Sequence, residues 1–139
     1  MRRRLIGVAL AMPTGGLLGV AAWLSPSGGG LGTHQQLGLP ECGWVTRMDL
    51  PCPTCGMTTA FAHSADGNLV AAFVTQPFGT LLAVVTAATL VAALWTAWSG
   101  TAVFGLLVNR WVTARIGWIS GGLLLLAWGY KIATHRGWI

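Results

Sequence analysis

The chain has 139 residues, enough for one domain of ordinary size, of which 54% are hydrophobic and 8% charged. An average soluble domain carries about 25% charged residues, so this composition excludes a water-covered globular surface and points to lipid. The net charge of +5 sits at the ends of apolar runs, which is the pattern of membrane-topology signals and not of a nucleic-acid-binding face.

The first apolar run, Leu5 to Leu24, carries no charge and follows Arg2, Arg3 and Arg4. Its length matches the ~20 residues needed to cross a bilayer core. A secretory signal peptide also begins with positive charge, but its apolar part is shorter, about 7–15 residues, and ends at a small-residue cleavage site. No such site follows Trp23, so a retained span is expected. Pro13 and Gly15-Gly16 in its middle predict a kink or a thinned face.

Ser25 to Thr54 is polar and rich in Gly and Pro, which predicts a loop. It holds His34, Glu41, Cys42, Arg47, Asp49 and Cys52, and Cys55 adjoins it. Gly56 to Ser64 then reads as a short helix closed by Asp66-Gly67, with Asn68 capping the next one. Leu69 to Trp98 is apolar throughout. As one helix it would measure about 45 Å, too long for a core of about 30 Å. Gln76-Pro77 offers the break, leaving Leu69–Thr75 as an interfacial or re-entrant piece and Phe78–Trp98 as the second span.

Ser99 to Arg115 is a connector with a short apolar stretch, Ala102 to Val108. The third span is expected from Ile116 to about Ile132, with Lys131, His135 and Arg136 marking its exit from the membrane. Trp23, Trp95, Trp98, Trp111, Trp118, Trp128 and Trp138 lie at or near predicted span ends, the headgroup level that Trp prefers. The expectation is a single all-α membrane domain over 1–139: three transmembrane helices plus a short interfacial or re-entrant helix after a cysteine-containing loop. No charged side chain is expected inside a span, which argues against an ion or proton transporter.

Arg2, Arg3, Arg4, Arg110 and Arg115 on one side outnumber Arg47, Lys131 and Arg136 on the other. That bias puts the amino terminus inside and the cysteine loop outside. Gly15–Gly19 and Gly117–Gly121 have small-xxx-small spacing, which suits packing between spans within the chain or formation of a homo-oligomer. The partners expected are the lipid bilayer, other membrane proteins or a second copy, and no nucleic acid.

Cys52-Pro53-Thr54-Cys55-Gly56 is the stretch that can carry chemistry. If Cys52 caps the following helix, Pro53 takes its first position, where a missing N–H costs little. Both thiols then sit at unpaired backbone donors and the positive end of the dipole, which favours thiolate. One reading is thiol–disulfide exchange, with Cys52 attacking and Cys55 resolving. A second is a tetrahedral soft-metal site, zinc for example, on Cys42, Cys52, Cys55 and His34. His63 is a rival fourth ligand, because Cys55, Thr59 and His63 would share a helix face. The third is structural: a disulfide among the cysteines, which an exterior location permits, in an accessory rather than enzymatic protein.

Around this stretch the chain resembles a family of small bacterial membrane proteins known as domain of unknown function 2752. The resemblance rests on Cys42, on Leu50-Pro51-Cys52-Pro53-Thr54-Cys55-Gly56-Met57-Thr58, and on the Ala-rich helix ending at Gly67. It covers roughly Leu31 to Ala83. It implies helical spans and a membrane location and no settled activity. In that family an arginine usually follows the threonine. Thr59 stands there in this chain, so no thiolate-pairing or anion-binding role carries over to that position.

Overall fold

The structure is a computed structural model that describes residues 1–101 and 110–138. Within these residues the chain is helical and forms no strand. The elements are α1 (Arg2–Trp23), a 3-10 turn (Thr33–Leu37), α2 (Gly43–Met48), α3 (Met57–Ala65), α4 (Leu69–Thr75), α5 (Pro77–Ser99) and α6 (Arg110–His135). Three helices are long and apolar enough to cross a bilayer: Arg2–Trp23, Pro77–Ser99 and Arg115–His135. These are the three expected spans, each a few residues longer than the apolar run that announced it. The connector stretch Ala102–Val108 lies outside the described residues.

Pro13 does not break α1, which is continuous from Arg2 to Trp23. The long apolar run divides where proline requires it. Pro77 has no N–H to continue α4 and has the fixed φ that suits a helix start, so α4 stops at Thr75 and α5 starts at Pro77. Gln76 between them is extended. Asn68 caps α4 as expected, its side chain accepting from Ala71 N at 3.1 Å. The predicted loop differs from expectation: it contains the 3-10 turn and α2, both too short to show as periodicity.

The spans α1 and α5 pack antiparallel through small residues. Gly7 marks a close approach of the two backbones: a Cβ there would stand 2.6 Å from Ala97 N and 2.8 Å from Ala93 O. Towards the other end Ala21, Phe61 and Ala83 form a buried cluster, flanked by Leu18 and Met57. This is how helices associate in lipid, where apolar side chains gain nothing by leaving the solvent and close backbone approach supplies the attraction. The spaced glycines behave otherwise. A Cβ on Gly15 would make an ordinary contact with Leu90, while one on Gly19, Gly117 or Gly121 would meet nothing within 4 Å. Large apolar side chains such as Leu5, Val8, Met12, Val85, Val91, Leu125 and Leu126 are exposed around the bundle, as lipid-facing residues are.

Arg4 lies against Gly100, so the basic amino terminus and the start of the connector share one end of the bundle. The loop, the cysteine segment, the α4–α5 junction and the last turns of α6 meet at the other end.

Gly7→Leu is expected to force α1 and α5 apart and to destabilise the protein by about 1–3 kcal/mol, whereas Gly19→Ala stays within about 0.5 kcal/mol. Unfolding titrations of both variants in the same detergent would check this. Equal midpoints for the two would refute the assignment of Gly7 as the close contact.

Candidate functional site

The cysteine segment is a tight turn held from several sides. Cys55 N donates to Cys52 O at 3.0 Å and Met57 N to Thr54 O at 3.1 Å. Gly56 closes the turn with φ 85° and is the cap residue of α3. It must be glycine for a second reason: a Cβ would stand 2.9 Å from Gly30 O and 3.2 Å from Lys131 Nζ. Trp128 Nε1 donates to Pro51 O at 2.9 Å, and Gln76 Nε2 donates to Pro53 O at 3.2 Å. The Trp128 ring also meets Trp44 of α2 edge-on, with centroids 6.2 Å apart. Thr33 and Thr59, both buried, share a hydrogen bond of 2.8 Å that ties the 3-10 turn to α3.

These constraints change the expected role of each cysteine. Cys52 does not cap a helix and Cys55 is not helical, because the turn uses up the residues before Gly56 and α3 begins only at Met57. Cys42 is the cysteine at a helix start, capping α2. Burial works to raise its pKa, but hydrogen bonds from the Trp44 backbone, from Cys55, from the Val45 backbone and from Cys52 outweigh it and bring the thiol down to about 7. Cys55 moves the opposite way. Burial, then its contacts with Cys52 and Cys42, push it up to about 12.

The three sulfurs converge. They all lie within 4.8 Å of one another, with Cys52 and Cys55 3.1 Å apart, and all three thiols are free. A disulfide, one of the three readings the sequence allows, is not seen among the described residues, where no two of these sulfurs are at bonding distance. Neither histidine joins the group. His34 lines the same cavity as the cysteines, but its Nε2 is 3.1 Å from Pro40 O. His63 stands in the last turn of α3, outside the group, because Cys55 precedes the helix and no face is shared. The cavity, about 960 Å³, runs from the sulfurs past Thr59 and Phe61 to Leu17 and Val20 of α1.

Lys131 departs most from expectation. It lies near the end of the third long helix, as expected, but its side chain turns inward and is buried, 7% exposed. Its Nζ donates to Thr75 O at 3.0 Å and reaches Gly30 O at 3.5 Å. Its burial is by protein, near the end of α6, where the sequence also places it. Nearby, Tyr130 OH donates to Val74 O at 3.0 Å. These carbonyls end α4 and lack the helical partners that Pro77 interrupts. Gln76 itself is fully buried, and its Oε1 has no hydrogen-bond partner among the described residues. At the edge of the site His135 Nε2 is 3.4 Å from Asp49.

Residues 42–90 match the profile of a family described as protein of unknown function (DUF2752). The matched stretch runs from Cys42 through the cysteine turn, α3 and α4 into α5, so it contains all three thiols. This is the family that the sequence resembles, with the match reaching further into α5 and starting later. No curated protein and no solved structure matches the chain.

At pH 7.5 in detergent without reductant or metal, Cys42 is expected to alkylate first with iodoacetamide and Cys55 last, since thiolate is the reacting form. The Cys42 rate should climb as pH rises through about 7. Peptide mapping of partly alkylated protein reads the order, and Cys55 labelling ahead of Cys42 would contradict it.

Proposed function

We propose that this chain is a membrane protein that holds a soft divalent metal ion, zinc in the first instance, on Cys42, Cys52 and Cys55. The convergence of three thiols from two separate segments is the observation that carries the reading. Zinc–thiolate bonds of about 2.3 Å place sulfurs about 3.8 Å apart in a tetrahedral site. The observed spacing brackets that value, so small side-chain movements suffice. Cys42 is the thiol most ready to lose its proton, and Cys55 ionises only when an ion compensates. Three protein ligands leave a fourth position, as in sites that take water or an exogenous ligand. His34, on the wall of the same cavity, is the fourth ligand that the sequence offered for it. The accessory role expected from the sequence then has a definite content: the turn is an ion-holding element at the membrane surface and not an enzyme's reaction centre.

The sulfur contact of 3.1 Å between Cys52 and Cys55 favours a second reading, dithiol–disulfide exchange. A single purification distinguishes the two. Protein prepared under argon should carry about one zinc per chain, lost in Cys42→Ser, with an intact mass unchanged by reductant. Metal-free protein whose mass rises by two hydrogens on reduction would favour the redox reading and overturn the metal one.

The basic amino terminus and the cysteine turn lie at opposite ends of the bundle. With arginine enriched on the amino-terminal side, the turn is assigned to the outer face of the membrane. An impermeant maleimide should label Cys42 in intact cells after metal stripping, and protection until lysis would reverse the orientation.

A further inference from the structure

Lys131 is the charged side chain that the fold buries, among the described residues. Removing an ammonium from water costs several kcal/mol unless a negative charge or dipoles offset it. The carbonyls of Thr75 and Gly30 offer dipoles. They do not by themselves require a cation, since the neighbouring carbonyls of Val74 and Pro51 are satisfied by the neutral donors of Tyr130 and Trp128. An ammonium has three donors, and two carbonyls leave one over. Lys131 Nζ stands 3.2 Å from where a Cβ on Gly56 would be, the residue directly after Cys55. The absent side chain at Gly56 is what makes room for it.

The charge count supplies the missing reason. A divalent ion on three thiolates leaves one uncompensated negative charge in a half-buried site. One ammonium beside it makes the whole unit neutral. We propose that Lys131 is the charge-balancing residue of the cysteine site, which makes it a site for a divalent soft cation bound as a neutral unit at the membrane surface. This inference rests on the metal reading above. Lys131 touches no metal ligand position itself; it acts on the ion through the field at Cys55 and so is a positioning residue.

The test uses the full chain in lipid nanodiscs, with Zn(II) competition for affinity and Co(II) for spectroscopy. Lys131→Gln removes the charge and keeps an N–H donor for the carbonyls. Lys131→Arg keeps the charge. Zinc affinity is expected to fall about tenfold or more in Lys131→Gln and to stay within about threefold of wild type in Lys131→Arg, at unchanged helicity. The thiolate-to-cobalt absorbance per bound ion should weaken in the Gln variant alone. Equal affinity in wild type and Lys131→Gln would overturn the inference and leave the metal site standing. Equal loss in both variants would make Lys131 a packing residue and overturn it likewise. Wild-type protein that binds neither ion would remove the metal reading itself, and this inference with it.

Discussion

At the Gln76–Pro77 break two carbonyls of α4, those of Val74 and Thr75, lose their helical partners, and α6 supplies replacements. In a lipid setting an unpaired carbonyl costs several kcal/mol, so the break is stable only if donors arrive from elsewhere. Tyr130 and Lys131 are those donors, and Trp128 one turn earlier satisfies Pro51 in the same way. The cysteine turn, the end of α4 and the loop at Gly30 are thus joined through a short stretch of one helix, Trp128 to Lys131. Without the break α5 would extend past the bilayer core, and without the donors the turn would have no fixed place.

The bundle is accordingly held by two different kinds of contact. Between α1 and α5 the attraction is close packing around Gly7, Ala21, Ala83 and Ala93, suited to a medium in which apolar surfaces have no preference for each other. The third span is fastened near its end by directed polar bonds. The first contact orients a helical hairpin. The second fixes the site, because Trp128 and Lys131 touch the very residues that flank the sulfurs.

How far the sequence led depends on the kind of signal. The spans were legible, since a charge-free run near the length of a bilayer core has few other uses. The break at Gln76-Pro77 and the cap at Asn68 were legible because proline and asparagine act locally. The cysteine turn was located correctly but read in the wrong geometry. Cys52-Pro53 looks like a cap and first helical residue, yet the hydrogen bond from Cys55 to Cys52 spends those residues on a turn and hands the helix-start position to Cys42. Gly7 was missed because a single glycine carries no periodicity, whereas the regular Gly15–Gly19 pair drew attention and packs against little. Lys131 was misjudged because its basic charge near a span end is what a topology signal also looks like. Only the carbonyls freed more than fifty positions earlier in the chain show why it turns inward, and that pairing is tertiary.

The fastening of α6 also bears on how the protein matures. Spans enter the membrane in order of synthesis, and α1 with α5 can associate as soon as both are inserted. The turn carrying Cys52 and Cys55 has by then been made, yet the carbonyls of Pro51, Thr75 and Gly30 still lack their partners on α6. A nascent chain at that stage has its thiols but not the scaffold that brings them to register. For the ion site proposed above, arrival of the last span would therefore act as a quality check built into biogenesis, since only the finished chain has the scaffold that gathers the three sulfurs.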